Sequence, residues 1–205
     1  MTSGIRIPPR QRVLAFVCIV PLVNFLVVLL AGLLRTGYDP VSQYIGELAV
    51  GPAGWIQSAN YLVMAVAMFA FALILRRTIR YGPGANAAPL FLAGFAFCLL
   101  AAAVVPDHVF GSSLSRRGAI FIVSSAAMAW LAGAALVTGL RSSLDRWTLW
   151  AAASVVCSSL LLAFVCLKLT GAGTLSHWIG LVQRLTVFGA WLWISAFAHL
   201  LATLR

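Results

Sequence analysis

Few side chains in this chain could do chemistry, and they fall in three short stretches between long apolar runs. The 205 residues hold only four Asp+Glu and three His against 14 Lys+Arg. "GYDPVSQYIGELAVGP" (37–52) carries Asp39 and Glu47, and "VVPDHVFGSSLSRRG" (104–118) carries Asp107, His108, Arg116 and Arg117. "TGAGTLSHWIG" (170–180) carries His177, and Arg184 follows it inside the last apolar run. Glu47, Asp107 and His108 are the residue types that move protons, so they are the candidate catalytic groups. Asp39, Arg116, Arg117, His177 and Arg184 are the candidate ligand-binding groups, with the arginines suited to a phosphate or carboxylate.

Each candidate also has a plainer reading. Asp39-Pro40 reads as a helix start, with Asp as cap and Pro at the first helical position. The helix that follows would put Val41, Tyr44, Ile45 and Leu48 on one side and Gln43 and Glu47 on the other, a short amphipathic helix in the membrane interface. Ser42 and Glu47 would stand about 140° apart on it, too far for a nucleophile and its base. Asp107-His108 follows Pro106 at a helix end, and neighbours on a chain point apart. Arg116 and Arg117 could snorkel to lipid headgroups. Only Asp107, His108 and His177 share a face, too thin a set for zinc. No metal centre is therefore predicted, haem is rejected for want of facing histidines, and the sequence names no cofactor.

The elements that must position these groups are membrane spans. Hydrophobic residues make up 62% of the chain and charged residues 9%, against about a quarter charged in soluble domains. Six apolar runs, roughly 12–34, 55–75, 89–105, 119–140, 147–168 and 178–203, are near the 20 residues that cross a bilayer core. The fold class is all-α: a polytopic six-transmembrane-helix bundle, one domain over 1–205, with a short interfacial helix in the first outer loop. The first run is too long for a signal-peptide core and is expected to stay as an uncleaved anchor. The net charge of +10 comes from arginines flanking the spans, so it reads as topology and anionic lipid rather than nucleic acid. Cys18, Cys98, Cys157 and Cys166 lie inside apolar runs without paired spacing, and read as small buried hydrophobes.

With the N-terminus inside, nine positive charges fall on the inner side and five on the outer, which favours two cytoplasmic termini. The three chemically varied stretches then share the outer face. In the last run His177, Arg184, Ser195 and His199 fall on one helical stripe with Phe188 and Trp191. A cation two turns inside a span needs a partner, and the expected partner is the carboxylate of Glu47, Asp107 or Asp39. Asn24 and Asn60 read as buried amides joining helices.

"GYDPVSQYIGELAVGPAGW", the "VPD" ending the third run and "GLVQRLTVFGAWLWISAFA" in the last resemble a bacterial integral membrane family catalogued as domain of unknown function 998. The resemblance spans nearly the whole chain and implies a small multi-helix membrane protein without an established activity. It carries Asp39, Glu47, Asp107 and Arg184 over as functional positions. The family pattern has Ser before the Glu-Leu of the first loop, where this chain has Gly46, and often a His just after the Gly that opens the fourth run, where Ala119 follows Gly118. Both departures weigh against Ser- or His-based catalysis.

The resulting expectation is a multi-pass protein of the bacterial inner membrane with an outward polar pocket for a lipid or isoprenoid-like anion. Whether it is an enzyme stays open. The alternatives are a binding or transport protein, or an accessory subunit whose charged cluster is only a structural ion pair. Expected partners are membrane lipids and a lipid-like ligand, not nucleic acid, with a homo-oligomer or larger membrane partner left open.

Overall fold

A computed structural model describes residues 9–78, 84–104, 156 and 177–203. The runs at 119–140 and 147–168, and with them Asp107, His108, Arg116 and Arg117, lie outside the described residues. Within them the chain is all-helical. The helices are α1 (Pro9–Leu34), α2 (Gly54–Thr78), α3 (Gly84–Val104) and α4 (Ile179–Thr203), with one 3-10 helix, η1 (Ile45–Ala49), between α1 and α2. All four α-helices are long and apolar enough to cross a membrane. A backbone in hydrocarbon must bond to itself, and helices do this without outside partners.

Helix α1 shows the reason for the composition. Its buried positions include Leu14, Val17, Pro21, Asn24 and Val28, which recur every three or four residues. Between them Ile19, Leu22, Val23, Leu26 and Leu30 stand exposed. A helix apolar on both its packed and its open face has no soluble counterpart, but it is at home in lipid.

Helix α2 packs along α3, and α1 packs on both α2 and α4. Small residues let the helices approach closely: Ala65, Ala67 and Ala72 on α2, and Ala85, Ala88 and Ala96 on α3, are all buried. Larger side chains fill the seam toward α4. Phe71 meets Phe197 edge to face at 5.8 Å, and Trp193 stacks on Phe197 at 5.3 Å. At one end Arg10 donates to Leu201 O at 3.4 Å, so the start of α1 and the finish of α4 lie together. The loop between α1 and α2 therefore meets the start of α4 at the opposite end.

Helix α3 begins five residues before its apolar run, since Gly84–Pro89 winds into the helix instead of closing a turn. Pro89 is the sixth helical residue, near enough to the N-terminus that few ladder bonds are disturbed. Helix α2 opens against the end of η1. A Cβ on Gly54 would collide with the carbonyl of Ala49 and lie 3.3 Å from its Cα. The obstacle is backbone and cannot swing aside. Gly54→Ala should cost about 1–3 kcal/mol, the usual range for overpacking, read as a lowered thermal midpoint of the detergent-purified protein.

Candidate functional site

The first loop does not wind as one amphipathic helix. Asp39 caps a single turn, its carboxylate accepting from Val41 N–H (3.0 Å), Ser42 N–H (3.3 Å) and the Ser42 hydroxyl. That turn closes with Gln43 N–H on Asp39 O at 2.9 Å. Tyr44 then goes extended, with φ −75° and ψ 152°, and η1 follows. Ile45 and Leu48 are buried side by side, while Val41 faces out.

Arg184 is the physical reason for the break. A continuing helix would give Pro40 O to Tyr44 N–H and Gln43 O to Glu47 N–H. Instead Arg184 Nη1 takes both carbonyls, at 2.5 and 2.9 Å, and Gly180 O at 2.9 Å. Tyr44 N–H is handed to Glu47 Oε1 at 3.1 Å, and Glu47 N–H bonds Tyr44 O at 3.2 Å. Arg184 Nη2 donates to the Tyr38 hydroxyl, which donates onward to Tyr44 O at 2.8 Å. Two further bonds cross the joint. Leu181 N–H, an orphan donor of the first turn of α4, finds Val41 O at 3.0 Å, and Ile45 N–H finds Gln183 Oε1 at 2.9 Å.

Arg184 is buried at 5% exposure and does reach the first loop. Its contacts there are carbonyls and a phenol, and among the described residues neither Asp39 nor Glu47 forms an ion pair with it. The expected ion pair with either acid is thus replaced by backbone acceptors. Asp39 spends its oxygens on its own turn, and Glu47 on Tyr44. Gly180 makes the approach possible, because a Cβ there would lie 2.7 Å from Pro40 O and against Gln43 O.

Arg35, just past α1, was legible only as a flanking charge. Its Nη1 donates to Glu47 O, and its guanidinium lies 5.9 Å from the Tyr38 ring centroid. Arg184 lies 5.5 Å from the same ring. Two cations thus flank one tyrosine. Burial raises the Tyr38 pKa above the ordinary value, against the lowering effect of Arg184. Burial, then the charge of Glu47, pushes Tyr44 up to about 12. The Ser42 hydroxyl bond, followed by the Val41 N–H, holds the Asp39 carboxyl below its usual range.

The stripe on the last helix is only partly kept. Arg184, Phe188, Trp191 and Ser195 are buried, but His199 is exposed, and so is His177 just ahead of α4. The buried row continues through Ala198 and Leu201, a spacing close to 3.5, so the seam drifts past His199. Beneath the loop, Val28, Ile45, Leu48 and Phe188 form a separate apolar cluster, with Phe25 edge-on to Phe188 at 4.1 Å. Deeper still lie Asn24, Asn60 and Gln57, all buried. Gln57 escaped the sequence reading because one amide near a span end carries no signal by itself.

Fold and site together define a polytopic helical membrane protein with a loop clamped over one end of its bundle. The profile of the family described as Protein of unknown function (DUF998) matches residues 18–200, and the chain belongs to that family. No curated protein and no solved structure matches it.

Arg184→Met would leave the loop carbonyls of Pro40 and Gln43 and the Tyr38 hydroxyl without their guanidinium donor. It should destabilise by at least about 2 kcal/mol, given about 1–3 kcal/mol for each buried group left unsatisfied. Gly180→Ala should cost a similar amount, and the double variant should fall short of the sum, since both act on one joint. Thermal melts of the four proteins check this.

Tyr44 supplies a test by pH. Its folded pKa lies above its unfolded value, so the folded state holds the proton more tightly. The associated stability is fully present below about pH 10 and is lost as pH rises toward 12. In a titration of tyrosinate absorbance, Tyr44→Phe should remove amplitude from the most alkaline part of the curve. It should also flatten the loss of thermal midpoint above pH 10.

Proposed function

We propose that this protein binds the anionic headgroup of a lipid or isoprenoid-like amphiphile at the cap formed by the first loop and the start of α4. In this reading it is a six-span protein of the bacterial inner membrane, with both termini cytoplasmic and the cap outside. Three arguments support that placement. The nine-to-five count of positive charges favours it. The start of α1 and the finish of α4 meet. Helix α3 sets out from the end where α2 stops, and α4 sets out from the loop end, so the intervening chain should cross an even number of times. Two apolar runs are available there.

The observation that carries the binding reading is that the two arginines of the cap are unpaired among the described residues. Among the described residues, Arg35 and Arg184 both sit on the Tyr38 ring and neither pairs with a carboxylate. Arg184 has its Nη groups committed, so its part is to hold the cap in shape. Arg35, half-buried at the end of a span, uses Nη1 on Glu47 O and keeps Nη2 for a ligand. Binding is preferred to acid–base catalysis because the Glu47 carboxylate already bonds Tyr44 N–H. The second reading, an accessory subunit with a purely structural cap, draws on the same saturation of Arg184.

The check is a thermal-shift titration of purified protein with a polyprenyl phosphate and with a neutral polyprenol. The phosphate should raise the midpoint and the alcohol should not. Arg35→Gln should weaken the response about tenfold, the equivalent of about 1.4 kcal/mol. Equal responses to both compounds would favour the structural reading.

A further inference from the structure

The most costly polar groups in the described bundle lie away from the cap. Asn24 is 3% exposed, Gln57 1% and Asn60 8%. Asn60 Nδ2 reaches Asn24 O at 3.4 Å and Gln57 Oε1 at 3.5 Å, so the three residues form one patch between α1 and α2. Among the described residues, Asn24 Nδ2 and Gln57 Nε2 have no acceptor at all. Asn24 is ten residues short of the end of α1, while Gln57 and Asn60 are the fourth and seventh residues of α2, so the patch lies below the loop near the end of the bundle, shut off by its own burial. Bulk water does not reach there, and an unsatisfied amide costs about 1–3 kcal/mol. Two such donors in one patch call for an acceptor that the described residues do not provide.

We propose that Asn24, Gln57 and Asn60 form an intramembrane binding site for an oxygen acceptor. The chemistry is specific in sign. The free groups are both N–H donors, and no side chain in the patch carries a charge. The occupant is therefore a neutral oxygen with lone pairs to offer and not a cation. Two sources supply such an oxygen at this depth: an internal water, or the ester carbonyl of a lipid lying in the groove between the helices. The site does not depend on the anion reading of the cap. On α1, the buried Val28 stands one turn closer to the cap than Asn24 and belongs to the apolar cluster under the loop.

The test uses the full-length protein with Gln57→Leu, Asn24→Leu and the milder Gln57→Met. If the donors serve an occupant, both leucine variants melt lower than wild type. If the donors are truly unmet, removing them relieves a penalty and the variants melt higher. Native mass spectrometry from vesicles of ester-linked phospholipid reads the lipid arm: wild type should retain a lipid that Gln57→Leu loses, and ether-linked analogues should be retained less. X-ray hydroxyl-radical footprinting reads the water arm. Met64, fully buried one turn from Asn60, should oxidise in wild type at least about tenfold faster than in Gln57→Leu. Gln57→Met guards against misfolding, since it keeps the length of the side chain, removes both N–H donors, and should lose the occupant while remaining monodisperse. Higher melting of the leucine variants, or lower melting with neither lipid nor Met64 oxidation in wild type, overturns the proposal.

Discussion

The cap depends on one solvation problem, that of a guanidinium sunk in a span. A buried cation must recover in hydrogen bonds most of what it loses in hydration. Arg184 does so with backbone carbonyls, and this choice dictates the local fold. Carbonyls lent to a side chain are withdrawn from the helix ladder, so the loop cannot continue as a helix past Gln43. The next amide along, Tyr44 N–H, bonds Glu47 instead, and the short 3-10 turn follows. The shape of the loop is thus a consequence of a residue some 140 positions away.

The lipid environment explains the rest of the architecture. Association of apolar helices in lipid gains nothing from hiding apolar surface, so contact quality has to decide it. Alanines line the α2–α3 seam, where backbones approach, and aromatic rings fill the wider seam to α4. The exposed leucines and valines of α1 are ordinary for a surface bathed in hydrocarbon.

The membrane class and most helix positions were legible in the sequence, because apolar length and flanking arginines are written residue by residue. That Arg184 reaches the first loop was legible too, since a buried cation cannot stand alone. Its partners were not. Sequence advertises carboxylates and hides carbonyls, so counting acids led to Glu47, Asp107 or Asp39; Asp107 lies outside the described residues, and in place of the other two Arg184 holds Pro40 O and Gln43 O. Gly180 was likewise silent, because its role is to be absent from the path of a distant backbone. His177 and His199 show the limit of an ideal wheel, on which a drift over several turns carries a residue off the seam.

The polar groups toward the loop end of the bundle sit at two levels, and different rules govern them. At the cap, peptide dipoles and a phenol absorb a positive charge, and the outlying Asp39 and Glu47 serve as local caps for their own turns. Nearer the middle of the span the amides carry no charge, and among the described residues nothing accepts from Asn24 Nδ2 or Gln57 Nε2. Val28, Ile45, Leu48 and Phe188 lie under the loop as an apolar layer. Such a layer keeps the field of the arginines from being relayed by hydrogen bonds to the amides. Each level must therefore be satisfied on its own terms. At the cap the chain's own carbonyls meet that need, whereas among the described residues Asn24 Nδ2 and Gln57 Nε2 find no acceptor, which is the demand the proposed occupant would answer.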